Sequence, residues 1–289
     1  MIESLKIIFL SVVYGFTALL PTSSLGHFSL LKEVLGYTDE NFNASFYYAL
    51  FSIAAGVAMY IYYFSVHSKI LKNVFRKKAS LESDADIAFN KAGRNIILSL
   101  LPILVLFIPV GKTSFIGSLG AYFLSDDSLI FVGLASIFCA VLMFISGWYM
   151  KSGYGEKKNL SSSKNAVFFG IYQLPAYIFP GLSHVSVGAS RIAVSDIDIK
   201  NILKETYLYL APSLIITGVS RVIFYFNGGE GILIPAALIG FAVSFFMSLG
   251  VLWFINKFFS KKTYRAFSVY TLVFGLIVTG TSLYGMLAL

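Results

Sequence analysis

Charge is what this chain has least of. Asp, Glu, Lys and Arg make up 12% of its 289 residues, half of the ~25% found in an ordinary soluble domain. Acids are the scarcer kind, 14 against 22 Lys and Arg. With 57% hydrophobic residues and a mean hydropathy of +0.79, the chain lacks the polar surface of a water-soluble fold and reads as an integral membrane protein. Cysteine occurs once, as Cys139 within an apolar run. That excludes an internal disulfide or a thiolate metal cage and leaves a small core side chain.

What is present is a set of runs long enough to cross a bilayer, roughly 17 to 25 residues each. They fall at Phe46–Val66, Asn95–Gly111, Ser128–Met150, Thr206–Phe226, Gly231–Asn256 and Ala266–Leu289, with Arg221 as the one charge inside them. Two more uncharged runs, Ile7–Leu31 and Asn165–Ser190, are interrupted by Pro21-Thr22-Ser23-Ser24-Leu25-Gly26-His27 and by Pro180-Gly181-Leu182-Ser183-His184-Val185-Ser186. Backbone freed from helical pairing at membrane depth is stable only where protein buries it or it lines a wet cavity, so each interruption marks a candidate site. The first run is not read as a cleaved signal peptide, because no small-x-small pattern closes it and the apolar stretch resumes beyond the break.

The net charge of +8 does not point to nucleic acid, because its placement follows topology. Lys69 to Arg94, Lys151 to Lys164, Lys200 with Lys204, and Lys257 to Arg265 bound four loops holding 17 of the 22 basic residues. If six spans cross and each broken segment returns to its own side, all four loops share one face, which the positive-inside rule makes cytoplasmic in an inner (plasma) membrane. The His67–Arg94 loop reads as a solvated hairpin or short helix, with attraction to anionic headgroups as the functional alternative. Trp148, Tyr149 and Tyr154 read as interfacial anchors, and Asn227-Gly228-Gly229 as a tight outer turn.

The same pattern predicts an all-α polytopic fold with an internal repeat. Residues 1–150 hold a re-entrant broken-helix hairpin and three spans, 151–164 a cytoplasmic linker, and 165–289 a second hairpin and three spans. Three is odd, so the halves enter from opposite faces and the repeat is inverted, an architecture that places sites near the midplane on discontinuous helices.

If the two breaks meet, they offer an anion-binding set: Thr17, Thr22, Ser23, Ser24, Gly26 and His27 from one, Ser183, His184, Ser186, Ser190 and Arg191 from the other. Hydroxyls and backbone N–H groups at helix starts favour anions. A helix from Ser183 puts Arg191 on the face of His184, two turns along, where a guanidinium would grip a phosphate bidentately. Each residue also has a structural use. Hydroxyls bond back to their own helix, prolines kink, Arg191 snorkels and His27 packs.

These residues resemble a known family. Val13 to His27 is similar to the first signature of the undecaprenyl-pyrophosphate phosphatases, E-G-x-T-E-x-L-P-x-S-S-x-G-H. Gly170-Ile171-Tyr172-Gln173 followed by Pro180 to His184 is similar to the second, G-x-x-Q leading into P-G-x-S-R-S-x-x-T. The order of spans and the prolines of Leu100-Leu101-Pro102 and Leu210-Ala211-Pro212 fit as well. The resemblance implies six spans, two re-entrant pairs, an inverted repeat and a homodimer.

Ser23, Ser24, Gly26, His27 and Ser183 are retained. The two glutamates of the first motif correspond to Tyr14 and Ala18, the second motif's arginine to His184, its next serine to Val185 and its threonine to Gly188. Those glutamates are the groups associated with divalent metal and acid–base work, and neither phenol nor methyl replaces a carboxylate ligand. No other acid is obviously placed to substitute: Glu33, Asp39 and Glu40 follow the first break and Glu205 sits at the mouth of a span.

The expectation is therefore a divergent, catalytically impaired relative that binds a polyprenyl phosphate headgroup in a midplane pocket and transports or presents it. The phosphate set is Thr22, Ser23, Ser24, Gly26, His27, Ser183, His184, Ser186 and Arg191, with no metal and no cofactor. The alternative is an active membrane phosphatase acting on undecaprenyl pyrophosphate through Ser24, His27 and Ser183, with Mg or Ca. Transport of an unrelated small anion is a third reading. The partners implied are the polyprenyl lipid and the bilayer, not nucleic acid.

Overall fold

A computed structural model describes residues 2–37, 43–76, 83–110, 113–115, 129–150, 162–195, 197–226 and 234–288. Eleven α-helices follow in order among them: α1 (Ile2–Thr17), α2 (Ser24–Val34), α3 (Ala44–Tyr62), α4 (Phe64–Val74), α5 (Asp84–Leu100), α6 (Leu129–Tyr149), α7 (Ser163–Ile178), α8 (His184–Ala193), α9 (Ile199–Phe226), α10 (Ile234–Phe258) and α11 (Lys261–Ala288). A 3-10 segment, Pro102–Phe107, continues α5 where Pro102 removes an amide donor. Pro109–Val110 pairs antiparallel with Thr113–Ser114 in a short ladder. The 151–161 stretch of the expected linker, Tyr154 and the Asn227-Gly228-Gly229 turn lie outside the described residues.

Among the described residues, six helical stretches are long and apolar enough to span a membrane: Ala44–Tyr62, Asp84–Phe107, Leu129–Tyr149, Asn201–Ile223, Ile234–Phe258 and Lys261–Gly285. The chain is a multi-pass, all-α membrane protein. The second span starts at Asp84 rather than Asn95, which corrects the expected boundary. Ser83 caps it, accepting the Asp86 amide at 3.1 Å, and Asp84 and Asp86 occupy the positive first turn. The expected His67–Arg94 loop is mostly helix. Asn90 donates to the Asn73 carbonyl in the last turn of α4 and to the Arg76 carbonyl just beyond it, at 2.6 and 3.2 Å, so α4 and α5 form a packed hairpin.

The enclosed centre is the crossing of α3 and α9, each with 67% of its apolar stretch buried, whereas α11 has 22% buried and is exposed along most of its length. α6 packs closely on α11 through small residues. A Cβ on Gly133 would lie 2.7 Å from the Thr279 amide nitrogen, and one on Gly275 2.8 Å from the Gly133 carbonyl, so only glycine permits this approach. α1 packs on α10, α7 on α5, α1 on α2, and α7 on α8.

Candidate functional site

α1 ends at Thr17, whose hydroxyl bonds back to the Val13 carbonyl at 2.7 Å. The chain then leaves the helix from Ala18 to Ser23. Other helices replace the lost backbone partners: the Tyr207 hydroxyl donates to Leu19 O at 2.6 Å and Thr271 Oγ1 to Pro21 O at 3.4 Å. Ser23 restarts the chain as N-cap of α2, its Oγ accepting the Gly26 amide at 2.9 Å. The second break runs from Phe179 to Ser183, after α7 has passed through Pro175. Gly181 sits there at φ +107, where an added Cβ would lie 2.3 Å from the Val132 carbonyl. Ser183 caps α8, accepting the Ser186 amide at 3.1 Å.

The two breaks touch. The Gly181 amide donates to Ser23 Oγ at 3.1 Å, and Ser136 Oγ, on α6, reaches the Gly181 carbonyl at 3.3 Å. The positive starts of α2 and α8 both adjoin this junction. Counting from the prolines pairs Ser24 with Ser183, but by capping role Ser23 is the counterpart of Ser183, because the first break is one residue shorter between proline and cap.

From the junction a buried polar layer extends into α1, α3, α7 and α9. The Tyr14 side chain interacts with those of Ser24, Ser52 and Tyr48. The Arg221 guanidinium lies 5.3 Å over the Tyr48 ring and donates through Nη2 to the Tyr177 carbonyl at 3.2 Å. The Tyr177 ring meets the His184 ring at 4.2 Å, and its hydroxyl donates to Ser213 Oγ at 2.7 Å. Gln173 fixes His184 twice: its Nε2 donates to the His184 carbonyl at 2.9 Å, so its Oε1, 3.0 Å from Nδ1, accepts a ring N–H. That assignment leaves Nε2 of the neutral imidazole with a bare lone pair. Arg221 and His184 are 7% and 6% exposed. Among the described residues, Arg221 Nη1 and His184 Nε2 have no hydrogen-bond partner. A buried donor and a buried acceptor therefore stand open in one layer, each costing about 1–3 kcal/mol unless a ligand or water completes it.

The expected residues divide. Ser23, Ser24, Gly26, Ser183 and His184 gather at the junction or in the adjoining layer. Thr22 is spent on its own break, its hydroxyl reaching Thr17 O at 3.4 Å. His27 is turned toward α11: Nδ1 donates to Ser23 O at 2.5 Å, Nε2 accepts the Tyr270 hydroxyl at 2.7 Å, and the ring stacks on Phe274 at 4.2 Å. Ser190 bonds to Ser146 and Tyr264 at 2.9 and 2.8 Å. Ser186 Oγ is buried without a hydrogen-bond partner among the described residues.

Arg191 shares the α7-facing side of α8 with His184, as its spacing requires. Its guanidinium, however, donates to Asn165 Oδ1 at 2.6 Å and Ser195 Oγ at 3.1 Å beside the Phe168 and Tyr172 rings, at the opposite end of α7 from the break. Arg221 is the cation that enters the layer instead. Its signal in the sequence was its being the lone charge in a span, but nothing there gave its address.

The described residues of this layer do not fit a carboxylate-held metal. Tyr14 is 1% exposed and packed against Phe28, Tyr48 and Phe51, and Ala18 carries no ligand. The buried Glu205 accepts from the Tyr209 hydroxyl at 2.5 Å. No group of three or more His, Cys, Asp or Glu converges among the described residues.

Fold and site together define a polytopic helical membrane protein whose two breaks meet beside a buried polar layer. The family model described as bacitracin resistance protein BacA matches residues 7–277. The chain belongs to that family. It is 26% identical over 280 residues to an undecaprenyl-diphosphatase of Prochlorococcus marinus (strain MIT 9515), covering 96% of this chain and 98% of that one. It is 26% identical over 284 residues to one of Acholeplasma laidlawii (strain PG-8A), covering 96% of each. A third, from Leptospira interrogans, is 26% identical over 268 residues, covering 92% and 93%.

Proposed function

We propose that this protein binds the diphosphate head of a polyprenyl lipid of the undecaprenyl type at the junction of the two breaks and hydrolyses it to the monophosphate. The observation that carries the reading is the pair of open buried groups, Arg221 Nη1 and His184 Nε2. The guanidinium suits an anionic phosphate oxygen, in a setting where low polarity strengthens the contact. The lone pair on His184 suits the proton of an attacking water, whose oxygen bonds the terminal phosphorus as the phosphoanhydride bond breaks and the lipid monophosphate leaves, the role a carboxylate would otherwise take. The names of the relatives support the same substrate and reaction.

In this reading the two helix pairs, α1–α2 and α7–α8, are re-entrant hairpins of an inverted repeat. The packing supports that reading: α1 on α10 is matched by α7 on α5, and α3 on α9 and α6 on α11 are each their own counterpart. The basic loops would face the cytoplasm, the site would work without a divalent metal, and Ser24 and Ser183 would be the serines nearest the bound head.

A second reading has its own support: Tyr14 and Ala18 stand where the resembling motif has carboxylates, which favours holding the head and carrying or presenting it without hydrolysis. Phosphate release from undecaprenyl diphosphate by protein in nanodiscs, with EDTA present, separates the two. Release that is lost in His184→Ala while the lipid still binds supports hydrolysis. Absence of release from the unaltered protein, together with saturable binding of the monophosphate lipid, supports the carrier.

A further inference from the structure

The first break also borders a space that Arg221 does not line. There, between α1, α10 and α11, lies an apolar groove of about 450 Å³. Thr17 at the end of α1, Leu20 and Thr22 of the break, and Gly250, Phe254 and Tyr270 are among the residues that line it. The groove begins where α10 draws away from α1. At Gly15 the helices are in tight contact, an added Cβ lying 2.6 Å from the Ser244 carbonyl, whereas a Cβ on Gly250 would meet nothing within 4 Å. The hydroxyls at its edge are already engaged. Thr17 bonds to Val13 O, Thr22 faces Thr17 O, and the Tyr270 hydroxyl is spent on His27 Nε2. What remains for an occupant is hydrocarbon.

We infer that this groove seats the first isoprene units of the lipid whose head is held at the junction, and that Gly250 keeps it open. The inference rests on the head site proposed above. Its own support is continuity: the residues between α1 and the Ser23 cap wall the groove on one side and lead into the junction on the other. An amphiphile gripped by its anionic end there must lay its tail against one side of the break, and this side is apolar. Size limits how much of the tail is seated. At roughly the 30 Å³ that a water-sized group occupies, the five carbons of an isoprene unit need about 150 Å³, so the groove takes about three units.

Binding of dimethylallyl diphosphate (one unit), farnesyl diphosphate (three units) and undecaprenyl diphosphate to the full-length protein in nanodiscs tests this. Affinity is expected to rise by at least about tenfold from one unit to three, by burial of the added carbons, and to change little beyond. Gly250→Phe fills the groove from a position with free space. It is expected to remove that gain for farnesyl and undecaprenyl diphosphates and to leave dimethylallyl diphosphate unaffected. Phe254→Ala, which strips a wall, is expected to weaken the longer two in the same direction, and a thermal melt of each variant checks folding. Equal affinity for all three lipids, or a Gly250→Phe protein that melts normally and keeps the chain-length gain, overturns the groove assignment while the head site stands. Failure of every diphosphate to bind the unaltered protein would instead overturn the head site.

Discussion

Ser23 and Gly181, 158 residues apart in sequence, are joined by a hydrogen bond of 3.1 Å from the Gly181 amide to the serine hydroxyl. The same oxygen caps α2 through the Gly26 amide, so one side chain starts a helix and fastens the two breaks together. Ser23→Ala is expected to cost about 2–3 kcal/mol, the sum of a lost cap and an orphaned buried amide. Unfolding in mild detergent measures it, and Ser23→Thr, which keeps the oxygen, is expected to recover most of the loss.

Gly181→Ala presses the same junction from the other side. The residue is at φ +107, with the Val132 carbonyl where a methyl group would go. A shift of either backbone would break the Ser23 contact, so a loss of more than about 2 kcal/mol is expected. A melt within a degree or two of the unaltered protein would show that the junction is softer than its geometry implies.

Arg221 separates structural from functional cost. Its guanidinium is buried over Tyr48, and among the described residues one of its nitrogens is open and no carboxylate interacts with it. Arg221→Met removes a desolvated charge and keeps much of the volume. The variant without ligand is expected to melt no lower than the original. The ligand-induced rise, worth about 2.7 kcal/mol at a hundredfold excess of lipid over Kd, is expected to disappear. A destabilised variant that still responds to the lipid would assign Arg221 to packing.

Arg191 is expected to behave oppositely. Its bonds to Asn165 and Ser195 hold the start of α7 against α8. Arg191→Ala should therefore lower stability by about 1 kcal/mol and change head affinity less than about twofold. A tenfold loss of affinity at unchanged stability would return it to the head site.

Chelation probes the absence of carboxylates from the layer. With Tyr14 and Ala18 in those places, lipid binding and phosphate release in EDTA are expected to match those in magnesium. Metal-dependent release would require ligands other than the residues of this layer.

The six spans and both breaks were legible in the chain because membrane constraints are local: a run of apolar residues must be helical to pair its backbone, and Pro21 and Pro180 interrupt it wherever the rest of the protein lies. The capping roles of Ser23 and Ser183, both within the family motifs, are local for a similar reason, since a cap is read within three residues. The second span was misjudged at its start because Lys91 and Arg94 look like loop residues, and only the packing of α5 on α4 draws them into a helix.

Helical spacing correctly placed Arg191 and His184 on one side of α8, yet spacing states an angle and not a neighbour, and that side meets α7 along its length. Amino-acid order alone determined that this is a multi-pass helical membrane protein with six membrane-length apolar runs, interrupted twice by polar, helix-starting sequence. Tertiary structure decided that the interruptions meet, that His27 turns to Tyr270, and that Arg221 from a distant span supplies the buried guanidinium. The division follows from distance: hydropathy and capping act within a few residues, whereas the partners of a buried charge are chosen by whichever helices pack beside it.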